Sequence, residues 1–148
     1  MDVWSRLAEY WRDIGLNVPP GVDATAIRAF ESKYRVTLPA DLRGYFSTVN
    51  GSGEDMDEDL YRFWSLAELK PVHEELEDHH PGRYAYPDCF VFADHCIWCW
   101  GYAVRITEDK EASGPVFRVT GWDAQGEQMA TSFVAFMESY LSDPGSII

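Results

Sequence analysis

The apolar residues of this chain change from helical to strand-like spacing part-way along its length, and that change narrows the fold more than any other feature. Up to Val49 they recur every three or four positions, as on the buried stripe of a helix; from Cys89 they crowd and alternate, as on a strand. Val3, Trp4, Leu7, Trp11 and Ile14 make the first stripe, which Gly15 and the Pro19-Pro20-Gly21 turn bring to an end. A second helix follows Asp23, a good N-cap, and turns Ala26, Ile27, Phe30 and Tyr34 inward with Glu31 and Arg35 four apart on its flank. Proline is tolerated at a first helical position, so Pro39 opens a third helix with Leu42, Tyr45, Phe46 and Val49 on one face. Asn50-Gly51 supplies the left-handed residue that closes it.

Tyr61 to Trp64 reads as a short strand after the acidic run Glu54 to Asp59, and Ser65-Leu66-Ala67-Glu68 as a capping box opening a brief helix that Pro71 stops. Residues 72–88 stay open between a helix sharing Val72 and Leu76 and the turn chemistry of His79-His80-Pro81-Gly82 and Tyr86-Pro87-Asp88. Strands are expected at Phe90 to Ala93, at Ile97 to Ile106 with Trp98, Trp100, Tyr102 and Val104 alternating, and at Val116 to Thr120. Asp94-His95 and Glu108 to Gly114 connect them. A last helix starts at Ser132 and carries Phe133, Phe136, Met137, Tyr140 and Leu141 on one stripe. N-terminal helices, a central antiparallel β-sheet meander and a C-terminal helix make the fold class α+β.

A chain of 148 residues buries roughly two-thirds of its unfolded surface as one domain. With 46% hydrophobic and 15% aromatic residues it has the core material to fold alone, and residues 1–148 are expected to form a single domain. No stretch approaches the roughly 20 apolar residues of a membrane span, and Met1 to Leu16 has no signal-peptide pattern. Cys89, Cys96 and Cys99 are an odd number, which fits reduced thiols better than a disulfide framework. The expected setting is cytoplasmic.

Charge separates the partner classes. There are 25 acidic against 12 basic residues, a net charge of −13. Residues 1–50 hold six of each sign, whereas residues 51–80 hold ten acids against Arg62 and Lys70, a net of −8. Such a field repels phosphate backbones and membrane surfaces and speeds encounter with basic proteins. Nucleic acid and membrane are therefore disfavoured as partners, and a basic protein is favoured.

Cys96-Ile97-Trp98-Cys99 has the spacing of a redox or zinc pair, and Cys89, His73, His79, His80 and His95 lie near it in sequence. A redox pair needs a helix N-terminus to lower its thiol pKa, whereas this one runs into strand-like alternation. Residues three apart on a strand face opposite sides, so both thiols meet one zinc only where a turn intervenes. No metal or other cofactor is expected. The acidic run lacks the glycine and the bidentate glutamate of a calcium loop and reads as solvated. No Gly-x-Ser-x-Gly, His-Glu-x-x-His, P-loop or dinucleotide fingerprint occurs, and no enzyme activity is expected. The six tryptophans read as core, with Trp64, Trp98 or Trp100 serving as interface anchors wherever one is exposed.

Ala26-Ile27-Arg28-Ala29-Phe30-Glu31, Leu38-Pro39-Ala40-Asp41-Leu42-Arg43, Asn50-Gly51, Phe63-Trp64-Ser65-Leu66 and Ser132-Phe133-Val134-Ala135-Phe136 follow one another in the order of a known family. This pattern resembles the SUKH superfamily, the Smi/Knr-type domain. The resemblance implies an α+β fold. It also implies a role as the immunity protein of a bacterial toxin system, binding and neutralising a cognate toxin domain, often a nuclease, in the producing cell. It carries over no catalytic residues. The acidity of the chain agrees with a basic toxin partner, and Glu54, Asp55, Asp57, Glu58, Asp59, Glu74, Glu75, Glu77 and Asp78 are the candidate partner-binding residues. A monomer or weak homodimer is expected. A non-toxin interaction or regulatory module of the same fold ranks second, and a metal-binding enzyme built on the Cys/His cluster third.

Overall fold

The computed structural model describes residues 1–120, 122 and 126–148. Three helices lead, α1 (Val3–Asp13), α2 (Ala24–Tyr34) and α3 (Ala40–Thr48). Two short strands, β1 (Tyr61–Phe63) and β2 (Lys70–Pro71), and the four-residue helix α4 (Val72–Glu75) follow. The strands β3 (Cys89–His95), β4 (Trp100–Arg105), β5 (Val116–Thr120) and β6 (Glu127–Ala130) precede helix α5 (Phe133–Ser142) and a 3-10 turn, Pro144–Ile147. The fold is α+β.

Local chemistry starts the long helices where the sequence places them. The Asp2 carboxylate accepts from Ser5 N at 2.8 Å, Asp23 from Ala26 N at 2.9 Å, and the Ser132 hydroxyl from Ala135 N at 3.0 Å. The third helix differs at both ends. Pro39 caps it in an extended conformation instead of joining it, and Val49 is already extended, bridging to Pro20. Gly51, at φ +80°, comes after the helix and serves the next turn of chain. A Cβ there would stand 2.5 Å from the Phe63 carbonyl oxygen and 2.8 Å from the Trp64 backbone. Gly51→Ala is expected to cost about 2–3 kcal/mol and to lower Tm by roughly 5–10 °C in a thermal melt.

The sheet is antiparallel, in the order β1-β3-β4-β5-β6, and β2 pairs with β3 as well. β1 takes Ala93 to His95 and β2 takes Phe90 and Val91, so the two short strands share one edge of β3. The β3–β4 register slips between Val91 and Ala93, leaving Phe92 as the extra residue of a bulge. Phe90, Phe92 and Ala93 consequently all join the helix-side core with Leu7, Trp11, Phe46, Phe63, Phe133 and Phe136. Cys89 and Val91 face a second cluster of Trp64, Val72, Leu76, Tyr86, Ala103 and Val119. All seven residues of β3 are buried, covered by helices on one side and by residues 64–86 on the other.

Further sequence expectations are corrected. Cys96 to Cys99 form a turn, and β4 begins only at Trp100. Cys96, Ile97 and Trp98 all have positive φ, at 52°, 54° and 62°, so the side-chain alternation breaks before Trp100. Ser65 to Glu68 make a single turn: Glu68 accepts from Ser65 N at 3.0 Å, one half of the capping box, and no helix propagates. Pro71 lies in β2 and caps α4, whose Val72 is buried together with Leu76. β6 and the 3-10 turn were not foreseen; β6 has no apolar alternation and is defined by its pairing with β5.

Candidate partner-binding surface

The acidic loop 54–59 is built around one inward-facing carboxylate. Asp57 is 5% exposed, and its Oδ1 accepts from Asp59 N and Tyr61 N, each at 2.9 Å. Its Oδ2 accepts from the Tyr140 hydroxyl, which itself accepts from the Trp11 indole at 2.9 Å. This relay ties α1, α5 and the loop together. Burial raises the Asp57 pKa above its ordinary value despite these hydrogen bonds, and burial together with Asp57 pushes the Tyr140 hydroxyl far up, so it stays a donor. Asp57, one of the candidate contacts, is therefore part of the frame, with its carboxylate turned inward.

Anchoring Asp57 turns its neighbours outward. Glu54, Asp55 and Glu58 are exposed and Asp59 is half-buried. Tyr10 donates to Glu58 at 3.3 Å, and burial with the surrounding carboxylates pushes the Tyr10 hydroxyl up to about 12. Glu54 and Asp55 form no ion pair among the described residues. With Glu68, Arg62, Asn17 and Asn50 they line an open groove of about 450 Å³. Arg62 is held there by Glu68 at 2.9 Å and Asp94 at 3.7 Å. Burial raises the Glu68 pKa, but the bonds from Arg62 and Ser65 outweigh it and hold the group below its ordinary value.

The second acidic segment is of another kind. Glu75 pairs with Lys70, Glu77 lies 3.2 Å from His79, and Asp78 pairs with Arg83 at 2.9 Å. Glu74 is exposed and lines a groove with Lys33, Arg35, Arg83 and Tyr84, while Glu75 and Glu77 line a separate one with His79, His80 and Trp98. The two acidic segments thus open onto different grooves. The larger uncompensated charge among the described residues, Glu54 and Asp55 against Glu74, lies on the first.

Next to the first segment is an apolar element that the sequence reading missed. The Cys96 N–H donates to the Leu60 carbonyl at 2.8 Å, which places the β3–β4 turn beside the end of the acidic loop. Ile97 at its apex is 81% exposed and Leu60 is 41% exposed, both with positive φ. Left-handed backbone is uncommon for a bulky residue and for a β-branched one a true outlier, so no turn residue advertised this bend. The tryptophans named as anchors are covered instead: Trp64 is buried, Trp98 and Trp100 are half-buried, and the exposed one is Trp122.

The Cys/His cluster disperses. Cys89 is buried in β3, and burial pushes its thiol up to about 11. His95 stacks on Trp100 with its Nε2 3.0 Å from the Asp59 carbonyl, His80 Nε2 reaches the Thr120 carbonyl at 3.0 Å, and His73 stacks on Tyr84. Among the described residues no group of three or more potential ligands could hold a metal ion. No helix among them is long and apolar enough to cross a membrane.

The profile of the SMI1/KNR4 family (SUKH-1) matches residues 21–139, most of the chain. The protein belongs to the SUKH-1 family. No individual curated protein matches it. The SUKH landmarks noted in the sequence turn out to be fold-holding positions. Ile27 and Phe30 are core, and Glu31 accepts from Leu38 N at 2.7 Å. Asp41 clasps Ser113 through the N–H at 2.8 Å and the hydroxyl at 2.9 Å, fastening α3 to the segment that leads into β5. Asn50 accepts from Leu66 N at 2.7 Å. The SUKH-1 signature thus specifies the scaffold, and the exposed acids and the Leu60–Ile97 patch lie outside it.

Proposed function

We propose that this SUKH-1 protein is a non-catalytic immunity protein that binds and neutralises a cognate bacterial toxin domain in the cytoplasm. The observation that carries the reading is family membership over residues 21–139. Its partner is basic, as a nuclease domain is, and the acidic loop Glu54, Asp55, Glu58 and Asp59 meets it, with Leu60 and Ile97 as apolar contacts. The Glu74, Glu75, Glu77 and Asp78 segment, in which Glu75 and Asp78 are already paired with Lys70 and Arg83, adds less.

The test is bacterial growth with the C-terminal domain encoded by the neighbouring reading frame expressed alone and then together with this protein. Toxicity alone and restored growth on co-expression are expected. Toxicity without rescue would end the cognate assignment, and a harmless domain would favour a general interaction module. Once a rescued toxin is in hand, reversing Glu54, Asp55, Glu58 and Asp59 to lysine is expected to slow association about 10–100-fold and flatten its salt dependence. Reversing Glu75 and Asp78 should change the rate less than about threefold, because those charges are locally paired with Lys70 and Arg83. Equal effects from both sets would contradict the placement of the interface.

A further inference from the structure

Binding a basic partner makes no use of the thiols in the β3–β4 turn. On a strand, Cys96 and Cys99 would point to opposite faces about 10 Å apart. In the folded protein Cys96, Ile97 and Trp98 are all left-handed, and Cys99 N returns to the His95 carbonyl at 2.9 Å. A tight turn brings positions three apart to within about 7 Å between Cα atoms, close to the roughly 4.4–6.8 Å that a disulfide spans. The Cys99 thiol donates to the Cys96 carbonyl at 3.1 Å, and Cys99 is exposed while Cys96 is half-buried. Hydrogen bonding to Cys96 raises the Cys99 pKa. The third cysteine, Cys89, is buried in β3 and forms no part of this turn.

We propose that Cys96 and Cys99 form a modification site, a dithiol that hydrogen peroxide oxidises reversibly to an intramolecular disulfide. One thiolate attacks a peroxide oxygen, the O–O bond breaks, and hydroxide leaves and is protonated to water as a sulfenic acid forms. The second thiol then attacks that sulfur, the S–O bond breaks, a second water leaves and the S–S bond closes. Two thiols give up two electrons and two protons, and one peroxide becomes two waters. A small dithiol reductant reverses the step by exchange.

The site is tested on the purified protein alone, so the outcome is independent of any partner and of the immunity reading. The reduced protein is treated with hydrogen peroxide, denatured in an alkylating agent and measured by intact mass and peptide mapping. The expected result is a mass about 2 Da below that of the reduced protein carrying a single alkyl group, with Cys96 and Cys99 protected, Cys89 alkylated and full reversal by dithiothreitol. The pair should react at least about tenfold faster than Cys89, whose burial and high pKa keep it protonated. Cys96→Ser and Cys99→Ser, each confirmed as folded by circular dichroism, should both abolish the bridged species. Recovery of two free thiols after treatment, oxidation straight to sulfinic acid, or disulfide-linked dimers in its place would overturn the proposal.

Discussion

Replacing Asp57 by alanine is expected to destabilise the protein by about 3–4 kcal/mol and to lower its urea midpoint by roughly 1.5–2 M. The cost comes from what the carboxylate leaves behind. Asp59 N, Tyr61 N and the Tyr140 hydroxyl all lose their acceptor, and the last of these lies in the core beside Trp11 and Phe63. Asp57→Asn retains the size and one oxygen acceptor and should lose only about 1–2 kcal/mol. A midpoint for the alanine variant equal to that of the wild type would show that the relay does not hold the loop.

The same residue shapes the pH dependence of stability. Burial raises the Asp57 and Asp41 pKa values above the ordinary 3.8 in the folded protein. Well below 3.8 both states are protonated. As pH rises the unfolded chain ionises first, the folded protein keeps its protons longer, and stability falls through the raised folded-state values. Glu68, held below its ordinary value, acts in the opposite sense and loses its contribution as pH falls. Urea midpoints taken from about pH 4 to 7 should therefore show a shallower decline with rising pH in Asp57→Asn than in the wild type.

Phe92→Ala is expected to have an effect as large, about 3–5 kcal/mol, because the ring is fully buried and the site cannot collapse around the deletion. Its ring lies edge-on to Phe133 at 5.1 Å and to Phe136 at 5.3 Å, and 6.4 Å from Phe63. The loss joins three elements at the point where the bulge adds a residue to β3. Phe117→Ala, half-buried over the opposite face, is the comparison and should cost under about 2 kcal/mol. Comparable midpoints for the two variants would mean that the bulge does not concentrate packing as described.

The parts of the fold legible in sequence were those whose causes are local. Asp23 and Ser132 announce helices because a side-chain oxygen satisfies the first free N–H groups, and the stripes behind them are dense enough to fix which face is buried. The elements misread have causes elsewhere in the chain. Glu127–Ala130 is a strand because β5 pairs with it. The Cys96–Trp98 bend has no glycine or asparagine to mark it, and the aromatic alternation of Trp100 and Tyr102 extends back over it by coincidence. Within the acidic run, Asp57 is set apart by the loop N–H groups it accepts from and by the Tyr140 hydroxyl, 83 residues away, so charge alone could not separate frame from surface.

Several contacts also impose an order on synthesis. The Trp11 indole meets Tyr140 across 129 residues, Arg6 meets Glu138 across 132, and the Tyr61 and Tyr102 hydroxyls donate to the carbonyls of Pro144 and Ile147. A ribosome delivers α1 long before α5, so the first helix must wait with its tryptophans only partly covered, by Tyr45 and Phe63, until residues 133–147 have emerged. Folding governed by such distant pairings is slow and completes late. A newly made copy consequently passes through a vulnerable interval in which chaperones and proteases compete for it, and the supply of working protein is set by how much of each synthesis round survives that wait.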